Sequence, residues 1–338
     1  MNDVTITDVA DQSGVSLRTV SRVINGSTKV NAETRARIEA VIATLGFRPS
    51  ARARALATGR SFLIGLIHDD PNALVLDPVQ RGLTAVLGAR GFEVVIHPCV
   101  YGSEGLMDDV RGFIQRSRVD GVVLLPPISE LPQLNRVIAA EGVPSISIAS
   151  VPIEGGTMLV SMEREATRLL TERLIDLGHR RIAFISGPSR FLSAQQRKAG
   201  FLDALAAANM KPSHMTEGDY SFESGLACGE AILSGTEPPT AVLASNDFMA
   251  AGVLKAAAAL GLSVPTDLSV AGFDDSSIAR MISPALTTIN RPMRAMAETA
   301  ARRLLARIDG QEDGLTHQEA LPIALSLIER ESTASPAR

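Results

Sequence analysis

VADQSGVSLRTVSRVINGS, residues 9–27, sets two short apolar stripes around a glycine and puts two arginines on the outer face of the second stripe. Thr5 with Asp8 three residues on forms a capping-box pattern, after which Ile6, Val9 and Ala10 share one helical face until Ser13-Gly14 interrupts it. Ser16 is then a good N-cap for a second helix whose buried stripe is Val20, Val23 and Ile24, and Asn25-Gly26 stops it. Asn31 caps a third helix with Ile38, Val41, Ile42 and Leu45 as its core face, ended by Gly46. Three short helices with a tight turn between the first two describe a helix-turn-helix. Leu17, Arg18, Ser21, Arg22 and Asn25 point away from the second stripe, so one short helix offers guanidiniums a turn apart to a groove.

The charge distribution agrees. Residues 1–60 hold nine Lys/Arg against five Asp/Glu, so this segment carries +4 while the remainder of a chain with a net charge of −4 carries −8. A basic module for a polyanion attached to an acidic body follows. With 338 residues, 45% hydrophobic and 21% charged, the chain is long enough for two or three globular domains. The N-terminus lacks an apolar signal core and no run of about 18 apolar residues occurs, which makes the cytoplasm the expected location and excludes a membrane partner. Cys99 and Cys228 have no CxxC spacing and five scattered histidines form no HxH or HxxxH pair. Buried reduced thiols and no metal site are expected, and no cofactor.

From Ser61 onward FLIGLI, EVVIHPC, GVVLLP, SISIAS, RIAFISG, TAVLASN and LSVAGFDD alternate with helical stretches such as DPVQRGLTAVLGARG and REATRLLTERLIDLG. Near-continuous apolar strands alternating with helices predict doubly wound parallel sheets, and seven of them predict two sheets. Ligands bind beyond the carboxyl ends of such strands. Those ends carry His68-Asp69-Asp70, Ser186-Gly187, Ser245-Asn246-Asp247 and Asp274-Asp275. No GxGxxG or GxxxxGK[ST] loop is present, so nucleotide phosphate cradles lack their glycines, and no GxSxG elbow supplies a nucleophile. Adjacent Asp274 and Asp275 should point opposite ways, which argues against a catalytic carboxylate pair.

TITDVADQSGVSLRTVSRVING with VNAETRARIEAVIATLGFRPSARARALATGRS resembles the DNA-binding headpiece and hinge of the lactose/galactose repressor (LacI/GalR) family. SAQQRKAGF, PPTAVLASNDFMAAGVLKAAAALGLSVPTDLSVAGFDD, PALTTINRP and LIERESTASP resemble its effector domain, so the resemblance spans essentially the whole chain. It implies an α/β chain: a three-helix headpiece (1–46), a hinge helix (47–60) and a two-lobed, periplasmic-binding-protein-like effector domain. Its N-terminal lobe would be 61–160 plus 291–322, and its C-terminal lobe 161–290 plus 323–338. Positions matching Leu17, Arg18 and Arg22 would contact base edges, and Thr5, Ser16, Thr19, Ser21 and Asn25 would hold phosphates or cap helices. In the hinge, Ala53 and Leu56 would lie at DNA, with Leu56 wedged into the minor groove, unless residues 50–57 are a plain basic linker.

The same resemblance assigns Asp70, Arg197, Tyr220, Asn246 and Asp274 to an effector site. Each of three residues has a structural alternative: Arg197 a salt bridge to the cleft wall, Tyr220 packing between lobes, Asp274 a cap. Asp, Asn and Arg suit vicinal hydroxyls and an aromatic suits sugar C–H faces, while the same set could hold a purine. Ser161-Met162-Glu163 and HDDPNALVLDP depart from the family pattern, and Trp is absent. The expectation is a dimeric, effector-controlled repressor of carbohydrate genes acting on a palindromic operator, and not an enzyme. A nucleobase-responsive regulator and a solute-binding protein are the alternatives. The chain closes on Pro336-Ala337-Arg338 without a heptad segment, which predicts a dimer rather than a tetramer.

Overall fold

The computed structural model describes residues 4–24, 27–47, 59–69, 75–311 and 320–337. The chain divides into two compact units, 1–62 and 63–338.

The first unit contains helices α1 (Ile6–Ser13), α2 (Leu17–Ile24) and α3 (Ala32–Leu45). Thr5 and Asp8 close the capping box: the Thr5 backbone and hydroxyl donate to the Asp8 carboxylate at 2.7 and 2.8 Å, and the Asp8 amide donates back at 3.4 Å. Gly14 takes the left-handed conformation (φ 63°) that ends α1, a backbone region that residues with a side chain rarely adopt. Asn31 accepts from the Thr34 amide at 2.8 Å to start α3, and Gly46 closes it. Val9, Ala10, Val20, Val23, Ile38 and Phe47 form the core, with Ile24, Val41, Ile42 and Leu45 packed around it.

The second unit opens with β1 (Leu63–His68), α4 (Leu76–Leu87), β2 (Glu93–Pro98), α5 (Leu106–Ser117), β3 (Gly121–Leu124), α6 (Pro132–Ala140), β4 (Ser145–Ala149) and β5 (Met158–Ser161). It continues with α7 (Glu163–Asp176), β6 (Ile182–Ser186), α8 (Leu192–Ala207), β7 (His214–Glu217), α9 (Phe222–Leu233), β8 (Ala241–Ala244), α10 (Asp247–Ala259) and β9 (Ser269–Ala271). The last elements are α11 (Ser277–Met281), β10 (Thr288–Asn290), α12 (Met293–Ile308), β11 (Ala320–Ile323) and β12 (Ser326–Ile328). Six parallel strands in the order β11-β5-β4-β3-β1-β2 make one sheet and four, β7-β6-β8-β9, make the other. Strands β3, β4, β6, β8 and β9 are buried along nearly their whole length, which is why they stand out as continuous apolar runs.

Each sheet reverses its strand order once, between β1 and β3 and between β6 and β8, so the carboxyl ends of these strands border a crevice. The chain passes between the sheets three times. β5 runs into α7, whose flank is the second sheet. After β10, α12 returns to the first sheet, where Arg307 donates to the Ser145 carbonyl at 3.1 Å and the Thr157 hydroxyl at 2.9 Å. Finally β11 pairs with β5 before β12 turns back to form an antiparallel ribbon with β10.

Candidate functional site

Two separate surfaces gather chemistry. On α2, Leu17 is 47% exposed although it is apolar, Ser16 and Arg18 are exposed beside it, and Thr19, Ser21 and Arg22 are half-buried. Among the described residues neither Arg18 nor Arg22 has an ion pair, and α2 carries no acidic residue to compete for them. Ser16 acts at the helix start: its hydroxyl accepts from the Thr19 amide at 3.3 Å and lies 2.9 Å from the Thr19 hydroxyl. Thr5, Ser16 and Thr19 therefore have capping or turn roles in the free protein. Asn25, Ala53, Leu56 and Asp70 lie outside the described residues.

In the second unit Arg197, Tyr220, Asn246 and Asp274 line one cavity of about 720 Å³ at the strand ends of both sheets, together with Asp69, Tyr101, Phe191 and Arg291. Arg197 is 3% exposed. Its Nε donates to Glu163 at 2.8 Å, Nη1 donates to the Ser245 carbonyl, Nη2 lies 3.7 Å from Asp274, and its plane covers the Phe273 ring at 3.8 Å. It reaches Glu163 because Gly200 lets α7 and α8 touch: a Cβ there would sit 2.0 Å from the Arg164 carbonyl oxygen. Glu163, only 1% exposed, also faces Arg291 at 3.6 Å and accepts from the Ser161 hydroxyl at 2.9 Å. Desolvation alone would raise its pKa, and Arg197 and Arg291 more than offset this and hold it below the ordinary value. Burial likewise works against the charge of Arg197, and Glu163 and Asp274 outweigh it, so the guanidinium stays protonated. Arg291 completes the cluster 3.7 Å from Asp274.

Asp274 and Asp275 do point apart. Asp274 faces the two arginines, whereas Asp275 accepts from Arg330 at 2.6 Å and Asn290 at 2.9 Å and so ties the β10-β12 ribbon to the end of β9. Both hold positive φ values, 111° and 52°, a strained backbone at the cavity edge. Asn246 caps α10 by accepting from the Met249 amide at 2.9 Å, and its amide nitrogen donates to the Tyr220 carbonyl at 2.9 Å. Neighbouring Asp247 is fully buried; desolvation and then Asp274 push its carboxyl up to about 7, against hydrogen bonds from Thr288 and Ser276. On the first sheet's side, burial raises Glu130, which accepts from Ser150.

Three aromatic rings complete the cavity. Tyr220 and Phe191 lie parallel with centroids 6.3 Å apart, and Tyr101 meets Phe191 edge-on at 5.1 Å, joining residues that follow strands of different sheets. Tyr220 fits because residue 187 is glycine: a Cβ there would lie 2.1 Å from the ring.

Comparison with known proteins agrees with both surfaces. The profile of bacterial regulatory proteins of the lacI family matches residues 5–50, and that of the periplasmic binding protein-like domain matches 171–333. The HTH-type transcriptional regulator CelR of Thermobifida fusca is 34% identical, covering 97% of this chain and 98% of its own. The lactose operon repressor of Escherichia coli is 32% identical, covering 99% and 92%. This chain belongs to the LacI family. Among solved structures, a lac repressor dimer bound to operator and the anti-inducer ONPF superposes with a TM-score of 0.81 at 31% identity, over 98% of this chain and 100% of that one. A CelR-cellobiose complex gives 0.71 at 31%, over 97% and 99%.

Within this LacI-family chain the sequence missed Glu163 as the electrostatic centre, and missed Arg291, Phe191 and Tyr101 altogether. For Glu163 a signal existed. Glu163, Ala166, Thr167, Leu170, Thr171 and Leu174 form the buried stripe of α7, and Arg197 lies on the corresponding stripe of α8. Opposite charges on the apolar stripes of consecutive helices predict a buried pair.

Proposed function

We propose that this protein is an effector-controlled repressor that binds a two-fold symmetric operator as a homodimer in the cytoplasm. α2 would lie in the major groove, and its effector would be a neutral saccharide of more than one ring. The lobes meet at 160/161, 290/291 and 322/323, and the protein binds ligand without turning it over. The observation that carries the effector assignment is the charge balance of the cavity. Arg197 and Arg291 on the wall are matched by Asp274 beside them and by Glu163 buried behind them, and Asp247 is held towards its neutral form. Such a wall presents donors and acceptors with no net charge to offer a phosphate or carboxylate, and hydroxyls satisfy it best. Parallel Tyr220 and Phe191 supply faces for sugar C–H groups, and about 720 Å³ has room for a second ring. The cellobiose bound by CelR belongs to this class.

In this reading Arg18 and Arg22 contact guanine edges, Leu17 makes apolar contact with a base, and Thr5, Ser16, Thr19, Ser21 and Asn25 border the phosphates. Ala53 and Leu56 act in the hinge. Effector binding changes the relation of the lobes and thereby operator affinity, a coupling of about 1–3 kcal/mol in typical cases. The test is a thermal-shift screen of neutral disaccharides, sugar phosphates, sugar acids and nucleobases, followed by operator binding with and without each hit. A ligand at 100 times its dissociation constant adds about 2.7 kcal/mol of stability. A neutral glycoside should stabilise the protein and alter operator affinity, and Gly187→Ala, which displaces the Tyr220 ring, should weaken it. Stabilisation by a sugar phosphate or nucleobase alone would overturn the neutral-saccharide assignment.

A further inference from the structure

One cluster lies outside both surfaces. His97 is the fifth residue of β2, and Cys99 continues the strand past its end, its amide donating to the His68 carbonyl at 2.8 Å. Alternate residues of a strand share a face, so the imidazole and the thiol project the same way, towards α5. Asp109 of α5 meets them there, with its carboxylate 2.9 Å from His97 Nε2 and 4.0 Å from Cys99 Sγ, and all three donor atoms lie within 4.8 Å of one another. Phe113, one turn further along α5, stacks on the imidazole at 4.3 Å and 11°, which fixes the ring plane.

We propose that His97 Nε2, Cys99 Sγ and Asp109 Oδ bind a zinc-class divalent cation, with water in the fourth position. Mixed nitrogen, thiolate and carboxylate donors select zinc over magnesium or calcium, which take oxygen sets. A tetrahedral ion with bonds of roughly 2.0–2.3 Å separates its ligands by roughly 3.3–3.7 Å. Asp109 stands 2.9 Å from His97 and 4.0 Å from Cys99, on either side of that range, and its half-exposed side chain can shift to even the two distances. On binding, the thiol proton leaves to solvent and the metal takes its place on sulfur.

The site has a consequence for the cavity. Two residues beyond Cys99, Tyr101 lines the effector cavity and its amide donates to Asp69 at 2.9 Å. An ion at His97, Cys99 and Asp109 would pin the end of β2 to α5 and hold the segment that presents Tyr101.

The experiment titrates the full-length, metal-free protein with Co²⁺ and then displaces it with Zn²⁺. One equivalent should give a sulfur-to-cobalt charge-transfer band in the near ultraviolet that micromolar Zn²⁺ abolishes. Cys99→Ser should remove the band, Cys228→Ser should keep it, and the exposed-site change Asp109→Asn should weaken binding at least tenfold while leaving the circular dichroism melt of the apoprotein unchanged. Absence of the band, its survival in Cys99→Ser, or equal affinity in Asp109→Asn and His97→Gln would each overturn the site.

Discussion

Two pairs of arginines are held in opposite ways. Arg18 and Arg22 stand on a helix without an acid, next to an exposed leucine, while Arg197 and Arg291 are buried against Glu163 and Asp274. The outer pair leaves its full charge for a partner, as binding to phosphate and base edges requires. The inner pair has its charge neutralised within the fold and keeps only its hydrogen-bond geometry, which suits an uncharged polyol. In the proposed reading one residue type thus serves polyanion and sugar, and the surrounding carboxylates decide which.

The sharpest way to break this contrast is to remove the inner counter-charge. Glu163→Gln leaves two buried guanidiniums undercompensated and should destabilise the effector unit by about 3–5 kcal/mol, measured by urea denaturation. A loss below about 1 kcal/mol would mean that Asp274 alone suffices. Removing the outer charges should cost no stability. Arg18→Ala and Arg22→Ala should each lower the preference for operator over random DNA by about 1–3 kcal/mol with an unchanged melting curve; if either change lowers the melting temperature, the outer pair is structural too.

A pH series sharpens the contrast further. The Asp247 carboxyl is raised from 3.8 to about 7, so between these values the folded protein holds a proton that the unfolded chain has lost. Stability conferred by this group is greatest at low pH and declines as pH rises to about 7, by at most about 1.4 kcal/mol per pH unit. Asp247→Asn should remove that component, visible as a change in the slope of unfolding free energy against pH; parallel slopes for the two proteins would contradict it. The smallest effect belongs to the headpiece, where Thr5→Ala deletes the capping box and should cost about 1 kcal/mol without touching effector affinity. Thermal melts of the variant with and without effector measure both.

The headpiece was legible in the sequence because its signals are local: Thr5 with Asp8, Gly14, Asn31 and Gly46 each act within a turn of where they stand. The central strands were legible because burial on both faces demands unbroken apolar runs. The strands that went unread are short and border the sheets or the crossings. MLVS of β5 is buried and interior to the larger sheet but only four residues long, HMTE of β7 alternates exposed and half-buried residues, and TIN, ALPI and SLI of β10, β11 and β12 have three or four residues each. Their pairing is set by long-range register, which no short window contains. For the cavity, Arg197, Tyr220, Asn246 and Asp274, four of the residues that the resemblance singles out, line the same wall. Arg291 was hidden because its counter-charge Glu163 lies 128 residues away, whereas Glu163 itself pairs with Arg197 on the next helix and only the comparison of two buried stripes reveals it.

The three crossings have a consequence for the order of assembly during synthesis. The four strands of the smaller sheet, from Ile182 to Ala271, are consecutive in the chain and can close as soon as they emerge from the ribosome. The larger sheet cannot. Its helix Met293–Ile308 and its sixth strand, Ala320–Ile323, come after the smaller sheet is already made, so β5 waits with one edge unpaired until almost the whole chain has been translated. A nascent chain halted near residue 290 would therefore carry a closed smaller sheet, still without the β12 strand and the Ser332 and Ala334 hydrogen bonds to β9, and a larger sheet with an open edge, the form most exposed to strand-edge association and to proteolysis.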